Sequence, residues 1–234
     1  TPAETHHQRE NDDDRNFDEE ENAPSKQNSA SAYSILNFIR WCTHESKRNR
    51  KAKNYALIFS GHSFGFHGTS FMRDDSSGAY LTLFMFRWAL YKANQLYLKN
   101  DWNDGKIGIL GFDSCVMSML EVGHELKGVA QTIVASEGSL PNSGWGYAPM
   151  LTKFVSTFTP RSEKAAFTSP VYVREAAKDF VVAFTDHHKK LLIGGRSIDI
   201  SAWDLDNLPP VTSGVNRLAI KLNQHLDLTE KFDK

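Results

Sequence analysis

The sequence predicts an α/β fold, a mostly parallel sheet flanked by helices on both faces. Two observations carry this. Residues 55–59, 107–110 and 132–135 are short apolar runs with almost no polar interruption, the pattern of strands covered on both sides. Between them lie longer stretches with apolar residues at helical spacing, which parallel neighbours need as crossovers.

Taken in order, residues 1–30 predict a flexible acidic N-terminal arm. Their carboxylates far outnumber Arg9, Arg15 and Lys26, and Phe17 is the only aromatic, so too little apolar surface is available to offset ordering entropy. Residues 31–234 then form one domain. Ile35, Leu36, Ile39 and Cys42 mark a first helix, with Ser31 or Ser34 as its cap. A basic patch, Lys47, Arg48, Arg50, Lys51 and Lys53, reads as a solvated loop before the strand at 55–59. A Gly/Ser-rich loop leads to a helix carrying Leu83, Phe84, Phe86, Leu90 and Ala93. The strand at 107–110 ends at Asp113-Ser114-Cys115, and Val116, Met119, Leu120, Val122 and Leu126 predict a helix starting at once. A third strand covers 132–135. A Pro/Gly-rich loop at 141–146 precedes helices near 148–156 and 171–192. Residues 198–203 alternate like a strand, and a last helix runs from about 211 to 226.

Composition removes several classes. Lys+Arg number 27 and Asp+Glu 28, a net charge of -1, so no global field draws nucleic acid or an anionic membrane. The two cysteines allow neither a disulfide-stapled scaffold nor a four-thiolate zinc ribbon. No uncharged apolar run reaches the roughly 18 residues of a membrane helix. The most apolar helical stretch, 80–91, is broken by Arg87. The sequence predicts no signal peptide in these residues, and cytoplasmic and secreted locations are both compatible with them.

In open parallel sheets, ligands bind beyond the carboxyl ends of the strands. Residues there are Ser60-Gly61-His62-Ser63, then Gly111-Phe112-Asp113-Ser114-Cys115, then Ser136-Glu137. If the first two strands are neighbours, a His and a Cys face one another across a crevice. A thiol attacks a carbonyl once a base or an anion-stabilising setting yields the thiolate. A helix opening at Cys115 supplies such a setting through its dipole. Backbone N–H groups there can hold an oxyanion, and His62 can protonate the leaving amine.

Other residues read more plainly. Cys42, on an apolar helical face, is a packed thiol. His67, His124, His187, His188 and His225 have no comparable setting and take surface or core polar roles. His62, His67, Asp74 and Asp75 lack any recognised metal-ligand spacing. Gly61-His62-Ser63-Phe64-Gly65 fits G-x-S-x-G after a strand, which makes Ser63 a competing nucleophile. An elbow of that kind leads directly into a helix, whereas the following residues read as loop.

Several blocks in order resemble the clostripain-like cysteine peptidases, of the clan that includes caspases, legumains and gingipains. They are Ile35-Leu-Asn-Phe-Ile-Arg-Trp41 with Tyr55-Ala-Leu-Ile-Phe-Ser-Gly-His62; Asp74-Asp-Ser-Ser-Gly78 with Tyr80-Leu-Thr-Leu83; Gly111-Phe-Asp-Ser-Cys-Val-Met117; Ala135-Ser-Glu137, Pro141 and Gly144-Trp-Gly-Tyr147; and Ser201-Ala-Trp-Asp-Leu205. The resemblance implies a caspase–hemoglobinase fold for 31–234 and a cysteine endopeptidase in which His62 is the general acid/base and Cys115 the nucleophile. It further implies oxyanion donors at the backbone of Ser63 and Cys115, and a pocket involving Asp113, Ser136, Glu137, Ser143 and Trp145. Cleavage after Arg or Lys, self-processing from a zymogen and a protein or peptide substrate follow from it. No cofactor is required for the chemistry. Some members need calcium, but Asp74, Asp75 and Asp104 assign no site.

The chain departs from the family pattern at four points. Ser63 stands where Gly is usual, and Ser143 where an acid often precedes Gly-Trp. The acidic arm stands where a hydrophobic strand is expected, so an N-terminal fragment of the same precursor would complete the sheet. The end at Lys234 is compatible with cleavage after a basic residue. Two further readings stand beside the peptidase: an inactive caspase-like binding or scaffolding module, motivated by Ser63, and a serine hydrolase using Ser63.

Overall fold

The computed structural model describes residues 28–49, 52, 54–66, 71–99, 105–158, 170–189 and 198–229. Most of the acidic arm, and Arg50, Lys51, Lys53, His67 and Asp104, lie outside the described residues.

Four strands form the main sheet: β1 (Ala56–Ser60), β4 (Ile107–Asp113), β5 (Ala130–Ala135) and β6 (Ser201–Asp204), in the order β1-β4-β5-β6. β1, β4 and β5 are parallel, and β6 closes one edge antiparallel to β5. The two-residue strands β2 (Met72–Arg73) and β3 (Tyr80–Leu81) pair separately as a hairpin. The helices are α1 (Ala32–Asn49), α2 (Leu83–Ala93), α3 (Leu120–Leu126), α4 (Tyr147–Phe158), α5 (Pro170–Lys189) and α6 (Pro209–Thr229). α1 continues through Lys47 and Arg48, so these two residues of the basic patch are helical rather than loop.

The core lies in two layers, one on each face of the sheet, as a buried parallel sheet requires. Leu36, Phe86, Leu90, Leu110, Phe112, Leu126 and Ile133 belong to one layer. Ile109, Val134, Trp145, Val173, Phe180 and Phe184 belong to the other. Gly111 is needed beneath the second layer: a Cβ there would meet the Trp145 ring at 2.9 Å and Ile58 Cγ1 at 3.1 Å. Phe59, Phe71, Phe86 and Phe112 pack with ring centroids 4.8–6.1 Å apart, which ties the β2–β3 hairpin and α2 to β1 and β4.

Local chemistry sets the helix boundaries. The Thr82 hydroxyl accepts from Met85 N–H at 3.1 Å and caps α2, so Tyr80 and Leu81 before it are free to form β3. Beyond Ala93 the helix widens into a π turn, Asn94–Leu98, and the buried Asn94 amide donates to Val129 O at 2.9 Å. Asp74 accepts from Ser29 N–H and Oγ, from Ser76 N–H and Oγ, and from Ser77 N–H. These donors, the Ser76 hydroxyl foremost, hold its carboxyl well below the usual range. They also fasten the hairpin loop to the residues preceding α1. Among the described residues, no helix is long and apolar enough to cross a membrane.

Candidate active site

The register of β1 against β4 sets the site. Ser60 pairs with Asp113 at the carboxyl ends of the two strands. His62 and Cys115 each lie two residues further on, so both emerge at the same level beyond adjacent parallel strands. Gly61 N–H donates to Asp113 O at 3.2 Å, extending the ladder by one step. The Ser63 hydroxyl then donates to Cys115 O at 2.5 Å, which stitches the two loops together. His62 is exposed and Cys115 half-buried.

Ser63 does not stand on an elbow. It bridges Met72 antiparallel, Phe64 N–H donates to Phe71 O at 3.4 Å, and Gly65 lies in a turn. Its side chain is 6% exposed and committed to the Cys115 carbonyl. The strand-to-helix geometry that a serine nucleophile of that motif needs is therefore replaced by a hairpin.

Cys115 does not open a helix either, contrary to the expectation from spacing. α3 begins only at Leu120, and residues 114–119 are irregular. Val116 has φ 50°, in the left-handed region that a β-branched side chain resists at a cost of about 1–3 kcal/mol. Two bonds hold this turn: Val116 N–H to Gly138 O at 2.9 Å and Ser118 N–H to Ser136 O at 2.8 Å. Without a helix dipole, the sulfur instead receives the Leu140 N–H at 3.3 Å.

The turn at 136–138 is itself held by a residue that sequence reasoning missed. Asp199 Oδ1 accepts from Ser136 Oγ at 2.9 Å and Glu137 N–H at 2.6 Å, and Oδ2 accepts from Gly138 N–H at 3.1 Å. The β5–β6 ladder ends at Ala135 opposite Ser201, and two steps beyond it Asp199 stands opposite Glu137. A lone acid before a strand gives no signal until that antiparallel pairing is known.

The remaining expected residues fall into two groups. Asp113 is 6% exposed, and its Oδ2 accepts from Tyr147 OH at 2.8 Å and Ser60 Oγ at 3.3 Å. Gly144, at φ +62°, lies directly against it: a Cβ there would meet Oδ2 at 2.7 Å. Burial first, then the Asp113 hydrogen bond and charge, pushes the Tyr147 phenol up to about 12. Ser143 and Glu137 are exposed, and Ser143 sits in the turn closed by Gly144 N–H to Pro141 O at 2.9 Å. Ser136 and Trp145 are interior. Ser136 is fully buried in the Asp199 clamp, and Trp145, 3% exposed, packs over Gly111 and Phe180.

Of the other polar residues, His188 is buried with Nδ1 3.0 Å from Phe184 O, and His124 and His225 are exposed. Burial pushes the Cys42 thiol up. The oxygens of Asp74 are engaged by N–H and O–H donors, and Asp75 pairs with Arg73 at 3.2 Å. The Asp74 carboxylate therefore offers a calcium ion no free set of oxygens. No cluster of three or more His, Cys, Asp or Glu side chains suited to a metal occurs among the described residues. A groove of about 530 Å³ lies elsewhere, between α2, α3 and α6, and is lined by Phe66, Leu83, Phe84, Leu120 and Val215 among others.

A family model described as the clostripain family, Peptidase C11, matches residues 3–233. No curated protein matches the chain. Among solved structures, a secreted C11 cysteine protease from Bacteroides thetaiotaomicron, in complex with an irreversible peptide inhibitor, is similar at 18% identity with a TM-score of 0.55. The match covers 79% of this chain and 47% of that one. An inactive zymogen of a C11 protease from Parabacteroides distasonis is similar at 17% identity with a TM-score of 0.53, covering 82% of this chain and 44% of that one. The chain thus spans just under half the length of these structures. At such identities the likeness speaks to the fold, which is the caspase-like α/β architecture.

Proposed function

Because the chain belongs to the clostripain family, we propose that it is the nucleophile-bearing part of a cysteine endopeptidase with a His62/Cys115 dyad. The observation that supports this most is the β1–β4 register, which brings both residues out two steps beyond a paired position. In this reading the Cys115 thiolate attacks the scissile carbonyl carbon, forming a C–S bond and an oxyanion. The His62 imidazolium gives its proton to the amine nitrogen as the C–N bond breaks, leaving a thioester. His62 then takes a proton from water, which attacks the thioester and releases the acid and the thiolate.

The backbone N–H groups of Ser63 and Cys115 are the proposed oxyanion donors. Phe64 N–H, rather than that of Ser63, closes the bridge to Phe71, and alternation along the chain turns the Ser63 N–H to the opposite edge. The Ser63 side chain is buried, its hydroxyl committed to Cys115 O. This supports the peptidase reading over that of an inactive module.

Cleavage after Arg or Lys rests on Asp113. A buried carboxylate beside the nucleophile suits a guanidinium or ammonium group. Glu137 and Ser143, both exposed, are the proposed rim of such a pocket, with the buried Ser136 and Trp145 as its proposed backing. A further strand from the same precursor, freed by self-processing, would fit the open edge of β1, whose middle residues Leu57, Ile58 and Phe59 are only half-buried.

A peptide-library cleavage assay on wild type, Cys115→Ala and Ser63→Ala tests the reading. Cleavage after Arg and Lys is expected, lost with Cys115→Ala and retained in Ser63→Ala. Cleavage that survives Cys115→Ala and disappears with Ser63→Ala would overturn it.

A further inference from the structure

We propose that Asp199 is a positioning residue for the Cys115 nucleophile, acting through the 136–138 turn. The proposal rests on Cys115 being the reacting thiol. Three links carry it. First, the Asp199 carboxylate gathers donors from three consecutive residues: Ser136 Oγ, Glu137 N–H and Gly138 N–H. Gly138 makes this approach feasible, because a Cβ there would meet Asp199 Oδ2 at 2.9 Å. Second, the same turn presents its carbonyls to the nucleophile loop, Gly138 O to Val116 N–H and Ser136 O to Ser118 N–H. Those bonds hold Val116 at φ 50°, a conformation that a valine leaves when nothing restrains it. Third, two residues past the turn, Leu140 N–H donates to Cys115 Sγ at 3.3 Å.

One carboxylate therefore fixes both the backbone that carries the sulfur and the donor that stabilises its anion. The division of labour explains why the thiol can dispense with a helix N-terminus: β6 brings an acid to a turn, and the turn aims a main-chain N–H at the sulfur. An amide at 199 keeps one acceptor oxygen but turns an NH2 toward part of the turn, where N–H donors already point.

The test is alkylation of the folded chain by iodoacetamide at neutral pH, with Cys115 and Cys42 read separately by peptide mass spectrometry. Cys42 lies in α1, away from the clamp, and reports general loosening. The titratable groups nearest Cys115 along the chain and across the strand ends are His62, Asp113 and Glu137, and the substitutions leave all three in place. Asp199→Ala is expected to slow Cys115 alkylation about tenfold, the scale of one hydrogen bond to a charged group, with Cys42 unchanged. Asp199→Asn is expected to slow it less, and decides alone if the alanine variant does not fold. A Cys115 rate that is unchanged, or that rises together with that of Cys42, overturns the proposal. Loss of the peptidase reading would appear separately, as a wild-type chain that cuts no peptide while the alkylation difference persists.

Discussion

The two strands that lead into the proposed dyad are covered very differently. β4, which ends before Cys115, is buried at all seven of its positions. β1, which ends before His62, is exposed at both ends and only half-buried between them. Among the described residues, β4 has strands on both sides, whereas β1 stands at the sheet edge. Cys115 thus follows a fully covered strand, and His62 follows the one whose cover among the described residues is thinnest, where one more strand would be felt most.

Core truncation reads this difference most strongly. Leu110→Ala, at a fully buried site in β4, is expected to destabilise by about 2–5 kcal/mol in urea denaturation. Leu57→Ala, at the half-buried centre of β1, is expected to cost only about 1 kcal/mol. Equal losses would mean that the edge is as well covered as the centre.

The two sides also respond to opposite ends of the pH scale, with smaller effects. Asp74 fastens the hairpin that follows His62, and its carboxyl is depressed by its donors. Its stabilising effect is present above the ordinary carboxylate range and is lost as pH falls below that range toward the depressed value. Tyr147 holds Asp113, two residues before Cys115, and its phenol is raised to about 12. Its effect is full below about pH 10, the ordinary phenol value, and is lost as pH rises toward 12. Thermal melts across pH should show Asp74→Asn flattening the acid limb and Tyr147→Phe flattening the alkaline limb. A swap of these limbs would break the assignment of each residue to its side.

Much of this was legible from the chain because burial leaves a strong pattern. The apolar runs at 55–59, 107–110 and 132–135 each proved to lie in strands, and the residues after them converged. Short-range turn chemistry was harder to read. Val116 gives no sign of a left-handed turn, because glycine is the residue that normally marks one, and its apolar spacing with Met119 and Leu120 mimics the start of a helix. The β2–β3 hairpin escaped notice because two-residue strands have no periodicity to detect. Asp199 was invisible for a different reason: its role depends on antiparallel pairing between segments more than sixty residues apart, and no local signal records that. Ser63 was legible as an anomaly, but its meaning required seeing the hydroxyl turned onto Cys115 O.

The most direct test is to trap the covalent intermediate. Wild-type chain is mixed with an activated Lys ester, quenched in acid within its first turnover, digested and mapped by mass spectrometry. The dyad predicts an acyl group on Cys115, and its accumulation falls sharply in His62→Ala. An acyl group on Ser63, or turnover with Cys115 left unmodified, would contradict it.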